Sequence, residues 1–119
     1  MEPQQELFEV VFVLPNSERT IRVDRNTHIW DAASAEGIAL PALCHQGYCL
    51  TCAAKLESHG ELDHSDSLVY FAQDAEAGFV LPCTAKARSS LKLRTHQQNE
   101  MRDFRRRNGL PAPYSWVKE

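Results

Sequence analysis

Nowhere does this sequence hold an apolar run approaching the ~20 residues that a membrane-spanning helix needs. Its opening, MEPQQELFEVVFVLPN, lacks a positively charged start and carries Glu2, Glu6 and Glu9, so it does not read as a secretory signal. The Arg and Ser enrichment of an organelle transit peptide is missing there too. No internal repeat and no low-complexity tract occurs. Cysteine is scarce, with four among 119 residues, and the reducing compartment that this opening implies disfavours structural disulfides. The length suffices for one compact domain and not for two. At 43% apolar and 24% charged, the composition is that of an ordinary globular protein rather than a fibrous or disordered one.

Charge is present but uneven. Residues 1–98 carry a net of -5 and residues 99–119 a net of +2, within an overall -3. An acidic body with a basic tail is the result. Arg102, Arg105, Arg106 and Arg107 supply most of the tail's charge. One short basic cluster on an acidic protein argues against nucleic-acid binding.

The hydrophobic period changes along the chain. Residues 7–14 place Phe8, Val10, Phe12 and Leu14 on one face of a strand. Pro15, Asn16 and Ser17 signal a turn, and residues 19–24 alternate again through Ile21 and Val23, which completes a hairpin. A short helix is expected over residues 29–36, stopped by Gly37. Residues 53–57 read as a strand, and a short helix is expected around 66–72 with Ser65 or Asp66 as its cap. Phe79, Val80 and Leu81 lead to Cys83, and residues 90–94 alternate as a last strand. Residues 97–108 are rich in helix formers, with Met101 and Phe104 spaced i, i+3 and Gly109 as the stop. Pro111 and Pro113 then force an extended end that carries Tyr114 and Trp116. Mixed strands with small helices give an α+β class.

The cysteines are the most specific signal. Residues 44–52 read CHQGYCLTC, a C-x4-C-x2-C run, and Cys83 follows after thirty further residues. Structural zinc takes its thiolates as two short knuckles, yet only Cys49 and Cys52 form one, and recruiting His45 or His64 leaves a cysteine over. A thioredoxin-type pair requires a preceding strand and a following helix, which this segment does not show. A Rieske centre needs two suitably spaced histidines, a pattern that is absent. C-x4-C-x2-C with a distant fourth cysteine is the spacing of a plant-type [2Fe–2S] site. Cys44, Cys49, Cys52 and Cys83 are therefore the candidate ligands of one such cluster. Gly47 allows the tight turn that aims backbone N–H groups at the cluster's sulfurs.

Further stretches carry a family resemblance: Asp31-Ala32-Ala33, Gly37 with Leu40-Pro41, Thr51-Cys52-Ala53, Gly60-Glu61-Leu62-Asp63-His64-Ser65-Asp66, Glu76-Ala77-Gly78-Phe79-Val80-Leu81, and Thr95-His96. Over about residues 8–101 the chain resembles the plant-type ferredoxins of chloroplasts and cyanobacteria, and among them the C-terminally extended ones. The resemblance implies a β-grasp fold: a mixed sheet with one packed helix and the cluster in a loop near the surface. It implies a ferredoxin domain over residues 1–98 and a C-terminal extension over 99–119. It also implies that Cys44 and Cys49 bind an outer iron, and Cys52 and Cys83 an inner one. The expected function is a soluble, low-potential one-electron carrier, monomeric and not an enzyme. Its expected setting is a cyanobacterial cytoplasm, or a plastid stroma if a transit peptide has been removed. The alternative is a redox or iron-status sensor that signals through its cluster and tail.

The departures from that family concern the partner. His45, Tyr48 and Leu50 stand where family members have a small polar loop, and they are expected to shape the cluster's exposed face. Val69 replaces a partner-contacting aromatic, Phe71-Ala72-Gln73 an acidic run, and Gln98 an acidic residue that helps bind ferredoxin–NADP reductase. These changes remove much of an electrostatically steering rim, so a different partner is expected. Two roles are open for the tail: its apolar residues fold back over the sheet, or its arginines face a partner's acids.

Overall fold

Alternation along the N-terminal segment makes a strand with one buried face. The computed structural model describes residues 7–41, 50, 52–58, 60–67 and 70–112. Strand β1 (Leu7–Val13) buries Phe8, Val10 and Phe12. Strand β2 (Glu18–Asp24) pairs with it antiparallel, with Val10 opposite Ile21, so the expected hairpin is present. Helix α1 (Ile29–Ala35) lays Ile29 and Ala33 on the same core. It ends where expected. Gly37 takes a φ of +78°, the Gly37 N–H bonds to Ser34, and the Ile38 N–H reaches back to Ala33. This pair of bonds satisfies carbonyls that the helix end otherwise orphans, and the left-handed turn between them suits glycine.

The remaining sheet is built from short strands. β3 (Ala54–Leu56) and β5 (Phe79–Val80) pair antiparallel, with Ala54 opposite Val80. β7 (Leu91–Arg94) lies parallel to β1 and antiparallel to β3, giving the order β2-β1-β7-β3-β5. Two further strands, β4 (Leu62–Asp63) and β6 (Lys86–Ala87), form a separate ladder that the periodicity of so short a segment does not reveal. Arg88 braces it with a 2.6 Å ion pair to Asp63. The class is α+β and the architecture the β-grasp: a mixed sheet with a helix across one face.

Among the described residues of the helix expected around 66–72, only Ala72 is helical. Asp63 accepts the Ser65 N–H at 2.8 Å, and the Asp66 carboxylate is held by His28 at 2.8 Å and Lys86 at 2.9 Å. The Asp66 side chain is therefore not available as a cap, and the chain turns at Ser65 and Asp66. Helix α2 (Ala72–Glu76) begins later, with the Asp74 carboxylate accepting the Phe71 N–H at 2.9 Å. A carboxylate from inside the first turn thus satisfies one of the orphan donors.

Helix α3 (Gln98–Arg107) packs its apolar residues on the domain. Met101 is fully buried and Phe104 packs against Phe79, their ring centroids 5.3 Å apart. The apolar residues fold back. Tyr114 and Trp116 lie outside the described residues. The reading of four arginines facing a partner is corrected for two of them: Arg102 is 3% exposed and Arg105 is 0% exposed. The reason is helical phase. Arg105 stands four residues after Met101, on its face of the helix, and Arg102, three residues before Arg105, adjoins that face. Arg106 and Arg107 are exposed, and Arg106 pairs with Asp103.

Arg105 makes a two-pronged ion pair with Asp74, Nε to Oδ1 at 3.1 Å and Nη2 to Oδ2 at 2.8 Å, with both side chains fully buried. Its guanidinium lies 4.9 Å from the Phe71 ring centroid and donates to the Pro111 carbonyl at 3.0 Å. Burying two charges is costly, and the fork geometry and the further donors offset that cost. Removing one partner strands the other. Asp74→Asn is expected to destabilise the fold by about 3–5 kcal/mol, read by chemical denaturation. Replacing both partners with apolar residues of similar volume is expected to cost far less, and equal losses for single and double variants would contradict the pairing.

Candidate metal centre

The site is assembled where β3 begins and β5 ends. These strands are antiparallel neighbours, so the turn before one and the turn after the other meet at the same end of the sheet. Cys52 sits in the first turn and Cys83 in the second. Their Sγ atoms are 3.2 Å apart, and the residues are 5% and 4% exposed. A disulfide holds its sulfurs at about 2.05 Å, so these two thiols are held face to face and not bonded to one another.

The backbone around each is fixed. The Ala53 N–H bonds to Leu50 at 3.1 Å, and the Thr84 and Ala85 N–H groups both return to Leu81, at 3.1 and 2.9 Å. Helix α1 adds a clamp. The Ile29 and Trp30 N–H groups, otherwise unpaired at a helix start, donate to Ala85 at 2.9 Å and Pro82 at 2.8 Å. The packed helix of the fold is thereby tied to both sides of Cys83.

These two residues fit a shared metal. Two thiolates on one tetrahedral ion with bonds of about 2.3 Å stand about 3.7 Å apart, which a small rotation of either side chain supplies. The chemistry of the donors fits as well, since thiolate sulfur is the ligand that iron–sulfur sites use. Cys44, Cys49, His45, Gly47 and Tyr48 lie outside the described residues.

Leu50 requires a correction. Expected to shape an exposed face, it is fully buried in an apolar cluster with Cys52, Leu81, Cys83 and Met101. Its φ is +67°, a left-handed conformation that costs a non-glycine residue ~1–2 kcal/mol. The backbone reversal turns the side chain inward, and burial of a leucine offsets the strain. No residue type signals this in advance, because glycine or asparagine is the usual occupant of such a conformation.

Beside the site, His64 stacks on Tyr70 with ring centroids 3.7 Å apart and planes 10° from parallel. Tyr70 donates its hydroxyl to the Phe79 carbonyl at 2.6 Å. The His64 Nε2 accepts the Leu81 N–H at 3.4 Å, a use that competes with its serving as a metal ligand. Burial pushes its pKa down to about 4, against weaker opposing pulls from Asp63 and Asp74. The ring is neutral with Nε2 unprotonated, as the bond from Leu81 demands.

Comparison with known proteins follows the same line. The family model "2Fe-2S iron-sulfur cluster binding domain" matches residues 12–88. Ferredoxin-2 of Synechococcus sp. is 36% identical over 94 residues, covering 79% of this chain and 89% of that protein. The heterocyst ferredoxin of Nostoc sp. is 38% identical over 81 residues, covering 68% and 81%. Among solved structures, pectocin M2 superposes with a TM-score of 0.69 at 23% identity, over 87% of this chain and 41% of that one, a likeness of fold alone.

The low pKa of His64 has a pH signature. The unfolded chain binds a proton near pH 6.5 and the folded chain only near 4, so stability is complete above 6.5 and falls as the pH drops toward 4. The loss by pH 4 is ~3 kcal/mol. His64→Gln, which keeps an acceptor for Leu81, is expected to flatten this window in denaturation curves. An unchanged slope would assign the acid loss to other groups.

Proposed function

This chain belongs to the plant-type [2Fe–2S] ferredoxins and carries one [2Fe–2S] cluster, and from that premise we propose that Cys44, Cys49, Cys52 and Cys83 hold it. The observation that carries the assignment is the pair of buried thiols 3.2 Å apart at the end of β3 and β5. The C-x4-C-x2-C run supplies the remaining two ligands from the segment that enters Cys52. When bound, such a cluster supplies a one-electron couple at low potential, near about −400 mV in this class. Members of the family are electron carriers. The protein takes one electron from a donor protein and passes it to an acceptor, making and breaking no substrate bond.

The chain's own residues do three things. Cys52 and Cys83 hold one side of the site out of water. Leu50, Leu81 and Met101 surround them with apolar atoms. The α1 N–H groups lock the Cys83 turn in place before any partner docks, so little rearrangement accompanies electron transfer.

Partner choice differs from that of the photosynthetic ferredoxins. The segment Phe71-Ala72-Gln73, which stands for their acidic run, supports the C-terminal helix here: Phe71 lies against Arg105, and Asp74 pairs with it. Phe71 and Asp74 are thus committed to α3, while Ala72 and Gln73 stay exposed and offer none of the negative charge that steers a basic reductase. The carrier serves another acceptor and works as a monomer. Among the described residues no helix is long and apolar enough to cross a membrane.

Two measurements test this. The purified protein is expected to be red-brown, to bleach with dithionite and to give a rhombic low-temperature EPR signal; Cys83→Ser is expected to lose most of that absorbance. A colourless protein that binds zinc would overturn the assignment. Affinity for ferredoxin–NADP reductase is expected to be weak at moderate salt, and submicromolar binding would refute the separate partner.

A further inference from the structure

Helix α3 and the residue ahead of it are anchored around the site at three points. Gln97, just ahead of the helix, donates its N–H to the Ala53 carbonyl at 2.9 Å, on the residue next to Cys52. Phe104 packs on Phe79 of β5, the strand that leads to Cys83. Arg105 is forked onto Asp74 of α2, the helix before that strand. Between these anchors Met101, fully buried, shares one packed apolar cluster with Leu50, Cys52, Leu81 and Cys83.

The chemistry of that position matters for a site that gains negative charge on reduction. Potentials of iron–sulfur sites depend on solvent exposure, nearby charge and hydrogen bonds to sulfur. Polar groups and water stabilise the added electron, and a dry wall withholds that stabilisation. Methionine is unbranched and polarisable, and fills an irregular gap without offering an N–H or O–H donor. Of the arginines of the same helix, Arg105 is neutralised by Asp74, and Arg106 and Arg107 face solvent.

We infer that α3 is the inner wall of the cluster compartment, and that Met101 is a positioning residue which keeps the Cys52–Cys83 side dry. It thereby lowers the reduction potential and slows loss of the cluster. The Arg105–Asp74 fork is the latch that holds the wall in place. This inference rests on the ligand assignment proposed above.

The experiment uses the full-length holoprotein and two readouts: the reduction potential by dye-mediated spectroelectrochemical titration, and the rate of bleaching under excess EDTA in air. Met101→Leu, apolar and of similar size, is expected to match the parent in both. Met101→Gln, similar in length but polar, is expected to shift the potential upward and to bleach several-fold faster. Should Met101→Gln not assemble, Met101→Ala is expected to move both readouts in the same direction. Val10→Ala, in the core under β1 and outside the site's apolar cluster, controls for general destabilisation and is expected to leave the potential unchanged. A potential for Met101→Gln equal to the parent's would overturn the inference, as would an equal shift in Val10→Ala. A parent protein without the cluster's absorbance would instead overturn the ligand assignment, so the two failures are distinguishable.

Discussion

Two thiols 31 positions apart in the chain stand 3.2 Å apart in space, out of water, and most of the molecule is arranged so that they can. The β3–β5 pairing brings their turns to one end of the sheet. The first N–H groups of α1 fasten the second turn, and the left-handed Leu50 closes the first. Neither thiol gains anything from burial by itself, since a sulfur that must be a thiolate is penalised in apolar surroundings. A metal that takes both sulfurs offsets the penalty, and its binding energy then adds to the stability of the fold. Cluster and fold support one another.

The buried Arg105–Asp74 pair follows a related logic. Such pairs are poor sources of stability when weighed against apolar replacements, but they are unforgiving of a wrong partner. Here the fork, the Phe71 N–H and the Pro111 carbonyl together define one seating of α3 on α2. An apolar helix face alone could slide by a turn along the sheet edge. A guanidinium that must meet one carboxylate in a fork cannot.

Much of this was legible before the structure. Alternation at Phe8, Val10 and Phe12, the turn at Pro15, and the stops at Gly37 and Gly109 located the hairpin, the packed helix and the terminal helix to within a residue or two. The cysteine spacing pointed to the cofactor, because few chemistries use that pattern. What escaped has physical causes. Two-residue strands such as β4 and β6 carry no period to detect. Asp66 is a good cap by type, but His28 and Lys86 hold its carboxylate from distant parts of the chain. A partner-facing role was left open for Arg102 and Arg105, whereas the position of Arg105 one turn after Met101 already placed it inward. Leu50 was read by its neighbours' polarity, and only its backbone conformation sends it into the core.

The order of the sheet has one more consequence. Among the described strands β7 alone pairs with both halves, to β1 on one side and β3 on the other. Without it the β1–β2 hairpin and the β3–β5 pair are separate pieces. As a ribosome releases the chain from its N-terminus, those pieces wait for residues 91–94 before they share a sheet. Contacts between the first and last strands close a long loop, which makes the final step slow compared with forming either hairpin. Cys83 itself emerges only shortly before β7, so the two thiols come together late, with α3, the last described helix, drawn over them at the end.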